Sequence, residues 1–255
     1  MIFNFKNTPI YYNVVGEGRA TVLLHGFLES SKMWAPLIPE LSKNRQIIMI
    51  DLPGLGESGV ISETHSMELM AEVVDSILEY LHVSTATFIG HSMGGYVTLA
   101  CAEMFPDRVE KIVLLNSTAI ADSEERKANR DRAIKIIDRS PKAYISMAIV
   151  NWAGETTREK FSEELQTSKN IAYTFPVEGI KAGLRGMRDR KDRTEVLKAF
   201  PREKYMFLAE GDPIIPIQDN LQLAKECGAK SIIASGGHLS VIENLQAVRE
   251  FLLSI

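Results

Sequence analysis

Two rhythms of apolar residues alternate along the first half of this chain. Thr21–Leu24, Gln46–Ile50, Thr85–Ile89 and Lys111–Leu115 are short runs dominated by apolar residues with little polar alternation, as expected of strands buried on both faces of a parallel sheet. Between them, Met67–Leu81 sets Met70, Val73, Val74, Ile77, Leu78 and Leu81 on one face of a helix, and Tyr96–Phe105 is helix-like as well. Upstream, Ile2–Lys6 and Ile10–Val15 flank Asn7-Thr8-Pro9 and predict an opening antiparallel pair. Gly16-Glu17-Gly18 reads as a turn, because it precedes the first buried strand and no phosphate-binding loop follows. Strands alternating with helices predict an α/β fold built on a doubly wound, mostly parallel sheet.

The rhythm stops after Leu115. The next convincing strand is Tyr205–Leu208, roughly ninety residues on, whereas a simple crossover needs roughly a dozen to a few dozen. The intervening segment is helical in character, with breaks at Ser140-Pro141, Gly154, Phe175-Pro176 and Gly183. Residues 119–186 are therefore read as a helical cap inserted in a core made of residues 1–118 and 187–255. Most of its large apolar groups (Tyr144, Met147, Trp152, Tyr173, Phe175) are expected to pack the cap itself, a minority to face a pocket. Ser231–Ala234 then reads as a buried strand and Val241–Ile255 as a helix.

Chemistry enters at Gly90-His91-Ser92-Met93-Gly94, which falls between a predicted strand and a predicted helix. In that setting G-x-S-x-G is a nucleophile elbow, with glycines where a side chain would strike the neighbouring strand or helix. A serine needs a base within reach and a third group to orient it. Of the five histidines, only His238 follows Ser92, so an order of nucleophile, acid, base leaves His238 as the base. It lies on a loop after a strand, where parallel sheets carry their sites. Asp212, in Gly211-Asp212-Pro213 after Tyr205–Leu208, is the favoured acid, and Asp122, after Lys111–Leu115, is its competitor. The oxyanion donors are expected to be the backbone N–H groups of Met93 and of Phe27, in the turn after Thr21–Leu24. His25 is expected to bond loop backbone. Leu28, Trp152 and Leu239 are the expected substrate contacts, with Phe27, Leu28 and Met93 at the pocket mouth.

These segments, taken with Asp51-Leu52-Pro53-Gly54-Leu55-Gly56-Glu57-Ser58 and Gly237-His238, resemble the α/β-hydrolase superfamily in order and over essentially the whole chain. The resemblance implies that fold and a Ser-Asp-His triad; its general look is that of small bacterial carboxylesterases and ring-cleavage-product hydrolases. Ser92 stands where dehalogenases and epoxide hydrolases carry aspartate. Leu239 follows the histidine where many ring-cleavage hydrolases have tryptophan. Met93 replaces the tryptophan of proline iminopeptidases, and Tyr96 the arginine of menaquinone-pathway hydrolases. These departures lean toward an esterase acting on a small ester. Thioester or carbon–carbon bond hydrolysis, and a slow-turnover small-molecule sensor, are the alternatives.

Composition narrows the setting. Hydrophobic content of 45% and charged content of 24% are ordinary for a globular enzyme. A net charge of −4 without a basic stripe argues against nucleic acid. Two cysteines make no disulfide framework. No signal-peptide pattern or membrane-crossing run is read, so a cytoplasmic monomer or homodimer is expected. No metal site is expected at His65 or His82, and no cofactor. The charge run Arg185–Arg193 reads as a solvated connection; the sharper alternative turns Arg185 or Arg188 inward to hold a substrate carboxylate or phosphate.

Overall fold

Eight strands form one sheet in the computed structural model, which describes residues 1–255. They are β1 (Ile2–Phe5), β2 (Thr8–Val15), β3 (Arg19–Leu24), β4 (Arg45–Ile50), β5 (Ala86–His91), β6 (Val109–Leu115), β7 (Lys204–Ala209) and β8 (Lys230–Ala234). Their spatial order is β1-β2-β4-β3-β5-β6-β7-β8. The two pairings that involve β2 are antiparallel, and every other pairing is parallel. The opening turn falls at Lys6 and Asn7, whose φ angles of 48° and 67° are left-handed. It therefore comes earlier than Asn7-Thr8-Pro9, and Thr8 and Pro9 already pair with Phe5 and Asn4.

The central strands are apolar throughout because each face has its own cover. Val22, Leu24, Ile48, Ile50, Phe88, Ile112 and Leu114 face one side, packed with α2 (Met67–Tyr80) and α3 (Met93–Met104). Leu23, Ile47, Met49, Ile89, Val113, Leu115 and Phe207 face the other, with Trp34, Leu37, Leu41, Val248, Phe251 and Leu252. Alternate residues of one strand thus enter two different cores, as a period of two requires. Only β8 departs from expectation: Lys230, Ser231 and Ile233 are exposed, because this strand ends the sheet and has a neighbour on one side alone.

A short helix, α1 (Ile38–Leu41), lies between β3 and β4 in the chain. Five helices separate β6 from β7, and the first four are α4 (Glu124–Arg139), α5 (Pro141–Trp152), α6 (Ser162–Ala172) and α7 (Val177–Arg188). Ser123 caps α4 by accepting from Arg126 N at 3.3 Å, and Pro141 opens α5, where its missing N–H costs nothing. The expected boundary at 186/187 falls inside α7, which runs on to Arg188. The helix continues because its glycine-bearing face lies backbone-to-backbone on the 53–66 loop: a Cβ on Gly179 would strike the Gly54 carbonyl, and one on Gly186 the His65 carbonyl. No helix is long and apolar enough to cross a membrane.

The run Arg185–Arg193 is only in part the solvated connection its composition suggested: Asp189, Lys191 and Asp192 are exposed, but its arginines are paired. Arg190 and Arg193 are only 5% and 2% exposed. Arg190 meets Asp122 at 2.6 Å and stacks 4.1 Å over the Tyr96 ring, while Arg193 meets Glu68 at 2.7 Å and Glu103 at 2.9 Å. Arg185 pairs with Glu63, and Arg188 with Asp131 and Asp189. The chain returns to the sheet through a junction already holding Glu68, Glu103 and Asp122, so its arginines go inside. After it come α8 (Thr194–Ala199), α9 (Ile217–Cys227), α10 (Ser240–Glu243) and α11 (Leu245–Ser254). The last two replace one expected helix; Asn244 breaks it, its Nδ2 donating to the Ser235 carbonyl at 3.1 Å.

Candidate active site

Ser92 stands between β5 and α3 with φ 50° and ψ −115°, a conformation that few residues adopt. It is held there by crowding. A Cβ on Gly90 would meet the Gly94 backbone, and a Cβ on Gly94 the Leu24 carbonyl. Ser92 N donates to Leu115 O on the neighbouring strand at 3.0 Å, and Ser117 Oγ donates to Ser92 O at 2.7 Å.

His238 and Asp212 come to it from the ends of β8 and β7. His238 Nε2 lies 2.8 Å from Ser92 Oγ, and Nδ1 lies 2.8 and 3.0 Å from the Asp212 oxygens. His238 N also donates to the Trp152 carbonyl at the end of α5, at 3.0 Å. Asp212 Oδ1 accepts from Ile214 N at 2.8 Å and Ile215 N at 2.9 Å. Burial opposes its charge, yet His238 and these donors outweigh burial and hold its carboxyl below the usual carboxylate range. Asp122, the competing acid, is fully engaged with Arg190 and Arg130.

Two contributors escaped sequence reasoning. Asn116, just past β6 with φ 46°, donates from Nδ2 to Asp212 Oδ2 at 3.0 Å and sits 3.4 Å from the Gly237 carbonyl. An asparagine directly after a strand was the available signal, since Asn tolerates the left-handed region. The other is the pair His91–Glu29. His91 Nδ1 is 2.7 Å from Glu29 Oε2, and Nε2 is 2.9 Å from the His238 carbonyl. With Glu29 ionised both partners are acceptors, and an imidazolium, which donates from both ring nitrogens, satisfies the two together. Burial disfavours that charge, but the adjacent Glu29 carboxylate outweighs it and raises the His91 pKa. The same oxygen of Glu29 accepts from Gly26 N at 2.8 Å.

The turn between β3 and Glu29 is ordered by His25. Its Nδ1 donates to Gly26 O at 2.7 Å and its Nε2 accepts from Leu52 N at 2.8 Å, which defines a neutral tautomer. Burial lowers its pKa to match. The N–H groups of Phe27 and Met93 donate to no protein acceptor.

Ser92 and His238 open on a cavity of about 660 Å³, walled by Phe27, Tyr96, Tyr144, Met147 and Trp152 among others. Its walls belong both to the strand ends and to α4, α5 and α7. The Trp152 ring is 6.2 Å from Phe27 and 6.2 Å, edge-on, from His238.

A sequence profile described as the alpha/beta hydrolase fold matches residues 21–245, most of the chain. The protein belongs to the α/β hydrolase fold family. Among its relatives, a Yersinia enterocolitica protein provisionally named carbamate hydrolase RutD is 25% identical over 96% of this chain and 91% of its own length. The uncharacterized hydrolase YugF of Bacillus subtilis is 27% identical over 97% of this chain and 94% of its own. A thermophilic esterase from Thermogutta terrifontis superposes with a TM-score of 0.92 at 28% identity, covering 97% of this chain and 92% of the esterase. The kinship is thus with hydrolases.

Not every expected contact of this α/β hydrolase reaches the Ser92 cavity. Trp152 and Phe27 do; Leu28 and Leu239 instead line a neighbouring cavity of about 380 Å³ with Met33, Pro36, Ile171 and Ile242. Leu28 has φ 58°, which turns it away from Phe27, and Leu239 follows His238 directly, so the two side chains diverge. The Met93 side chain is wholly buried and forms no part of the mouth. No group of three or more His, Cys, Asp or Glu side chains is placed to hold a metal ion, and Cys101 and Cys227 are buried free thiols.

Proposed function

We propose that this α/β hydrolase cleaves a small carboxylic ester through an acyl-enzyme on Ser92. The observation that carries the reading is the unbroken relay from Ser92 Oγ through His238 to Asp212, 2.8 Å at each link. His238 Nε2 takes the Ser92 proton as Oγ bonds to the ester carbonyl carbon. The resulting oxyanion is met by the N–H groups of Met93 and Phe27, which have no other acceptor and are worth roughly 3–4 kcal/mol per donor in such sites. Collapse expels the alcohol, which leaves with the proton from His238. Water then attacks the acyl-enzyme, giving its proton to His238, and the acid is released with Ser92 reprotonated. Asp212 keeps the Nδ1–H tautomer and stabilises the transient imidazolium.

The residues 119–186 act in this reading as a cap whose α4 and α5 close the substrate cavity. The test is hydrolysis of p-nitrophenyl esters of rising acyl length by the native protein and by Ser92→Ala. Expected are a chain-length optimum and a loss on the order of 10⁴-fold or more in kcat on removing Ser92. Thioesters and carbon–carbon substrates in the same panel separate those chemistries. Absence of both turnover and fluorophosphonate labelling of Ser92 would overturn the reading in favour of a binding protein of the same fold.

A further inference from the structure

The charged groups facing the Ser92 cavity are Glu29, His91, Glu125, Arg126, Arg130 and Arg132. Glu29 is answered by His91 and Arg130 by Asp122. Glu125 and Arg132 are exposed at the rim and cancel in number. That leaves Arg126, a half-buried cation with no carboxylate within ion-pair distance. The arginines of the 185–193 run, by contrast, are all spoken for by carboxylates elsewhere.

The placement of Arg126 is chemically pointed. It lies in the first turn of α4, where the positive end of the helix dipole disfavours a cation. No ion pair offsets that cost. One guanidinium N–H donates to the Ile214 carbonyl, and the Ile214 N–H in turn donates to Asp212 Oδ1 at 2.8 Å. The guanidinium therefore stands at the rim of the acid loop, two residues along the chain from the triad aspartate, inside the cavity that holds Ser92. Four of its five donors remain. A guanidinium fork matches a carboxylate in two parallel hydrogen bonds. Further along the same face of α4, Ala133 and Ile136 join Tyr144, Met147 and Trp152 to make an apolar wall of the cavity. From Arg126 to Ile136 is about 15 Å at 1.5 Å per residue, room for a short hydrocarbon between a charged end and an apolar one.

We infer that Arg126 is a carboxylate-binding subsite, and that the substrate is a short ester that also carries a free carboxylate. The inference rests on the serine-hydrolase reading above. The carboxylate could belong to the acyl or to the alcohol part, and two substrate pairs distinguish these. Mono-p-nitrophenyl glutarate is compared with p-nitrophenyl hexanoate, and carboxymethyl butyrate with propyl butyrate. In at least one pair the anionic ester should have a kcat/KM about tenfold or more above its neutral partner. Arg126→Gln should cut that ratio by about tenfold to a hundredfold, and Arg126→Lys, which keeps the charge but loses the fork, by less. Thermal melts of both variants confirm that they fold. A ratio near one in both pairs, or a ratio unmoved by Arg126→Gln, overturns the subsite. If no ester is turned over and Ser92 resists fluorophosphonate, the hydrolase reading fails on its own, and calorimetric titration with glutarate then decides the subsite. Binding to the native protein that Arg126→Gln abolishes sustains it; no binding to the native protein overturns it.

Discussion

His91 occupies the x position of the elbow, yet it ties the elbow to two other loops at once. Through Glu29 it holds Gly26 in the turn that carries Phe27, and through Nε2 it holds the carbonyl of His238. Its charge is part of that hold, since a neutral ring can donate from only one nitrogen. With its pKa raised, the stabilisation from this pair is complete below the ordinary histidine value and is lost as pH rises through the folded value. Glu29→Gln removes the countercharge. It should lower kcat by about tenfold, the worth of a hydrogen bond to a charged group, and move the alkaline limb of the rate profile to lower pH. An alkaline limb identical to that of the native protein would refute the positioning role. Neither residue could be paired from sequence: 62 positions separate them, and nothing in either neighbourhood names its partner.

Among the elements, α4 contributes a long wall of the cavity, and it is attached by Ala133 and Ile137 in the core and by ion pairs at its start. Asp122, immediately before the helix cap, has a side chain wholly removed from solvent and meets Arg190 and Arg130. Removing one member of a buried pair leaves the other charged and unsolvated, which costs about 3–5 kcal/mol. Asp122→Asn should therefore lower the urea midpoint markedly. The double variant Asp122→Leu/Arg190→Met should recover much of the loss, because it deletes both buried charges; equal loss in the two would contradict the buried-pair account. This interaction also explains why an aspartate after β6 looked like a triad acid. Its distance past the strand suits either role, and Arg190, arriving just past the end of α7, engages Asp122 while Asp212 lies beside His238.

Across the whole molecule, four buried groups agree in sign on the acid side, and His91, with its raised pKa, acts the other way. His65 accepts from Ile61 N through Nε2 at 3.1 Å, and burial depresses its pKa from 6.5 to about 4. His25 is depressed likewise by burial, while ion pairing and hydrogen bonding lower Asp212 and Asp122 against the opposing effect of burial. For a depressed group, stability is fully present above the unfolded pKa and fades as pH falls toward the folded one. His65 alone accounts for at most about 3 kcal/mol across that window. The urea midpoint should thus decline from pH 7 to pH 4.5, and less steeply in His65→Gln. A flat profile in the native protein would show that these histidines do not stay neutral in the fold.

What the chain determined by itself is local. Apolar runs that needed covering on both faces specified the strands and their two cores, and glycines at the elbow specified where a serine could be strained. Because Ser92, Asp212 and His238 each lie at or a few residues past a strand end, strand identification was enough to single out all three as the proposed triad. Tertiary structure decided the remainder: that β8 lies at an open edge, that Arg190 and Arg193 go inside, that Leu28 and Leu239 face a second cavity, and that Asn116, His91 and Glu29 brace the site. These depend on which carboxylates and carbonyls arrive from distant segments. Hydrophobic periodicity records how a residue meets its own element, whereas the pairing of buried polar groups is set only when the elements meet one another.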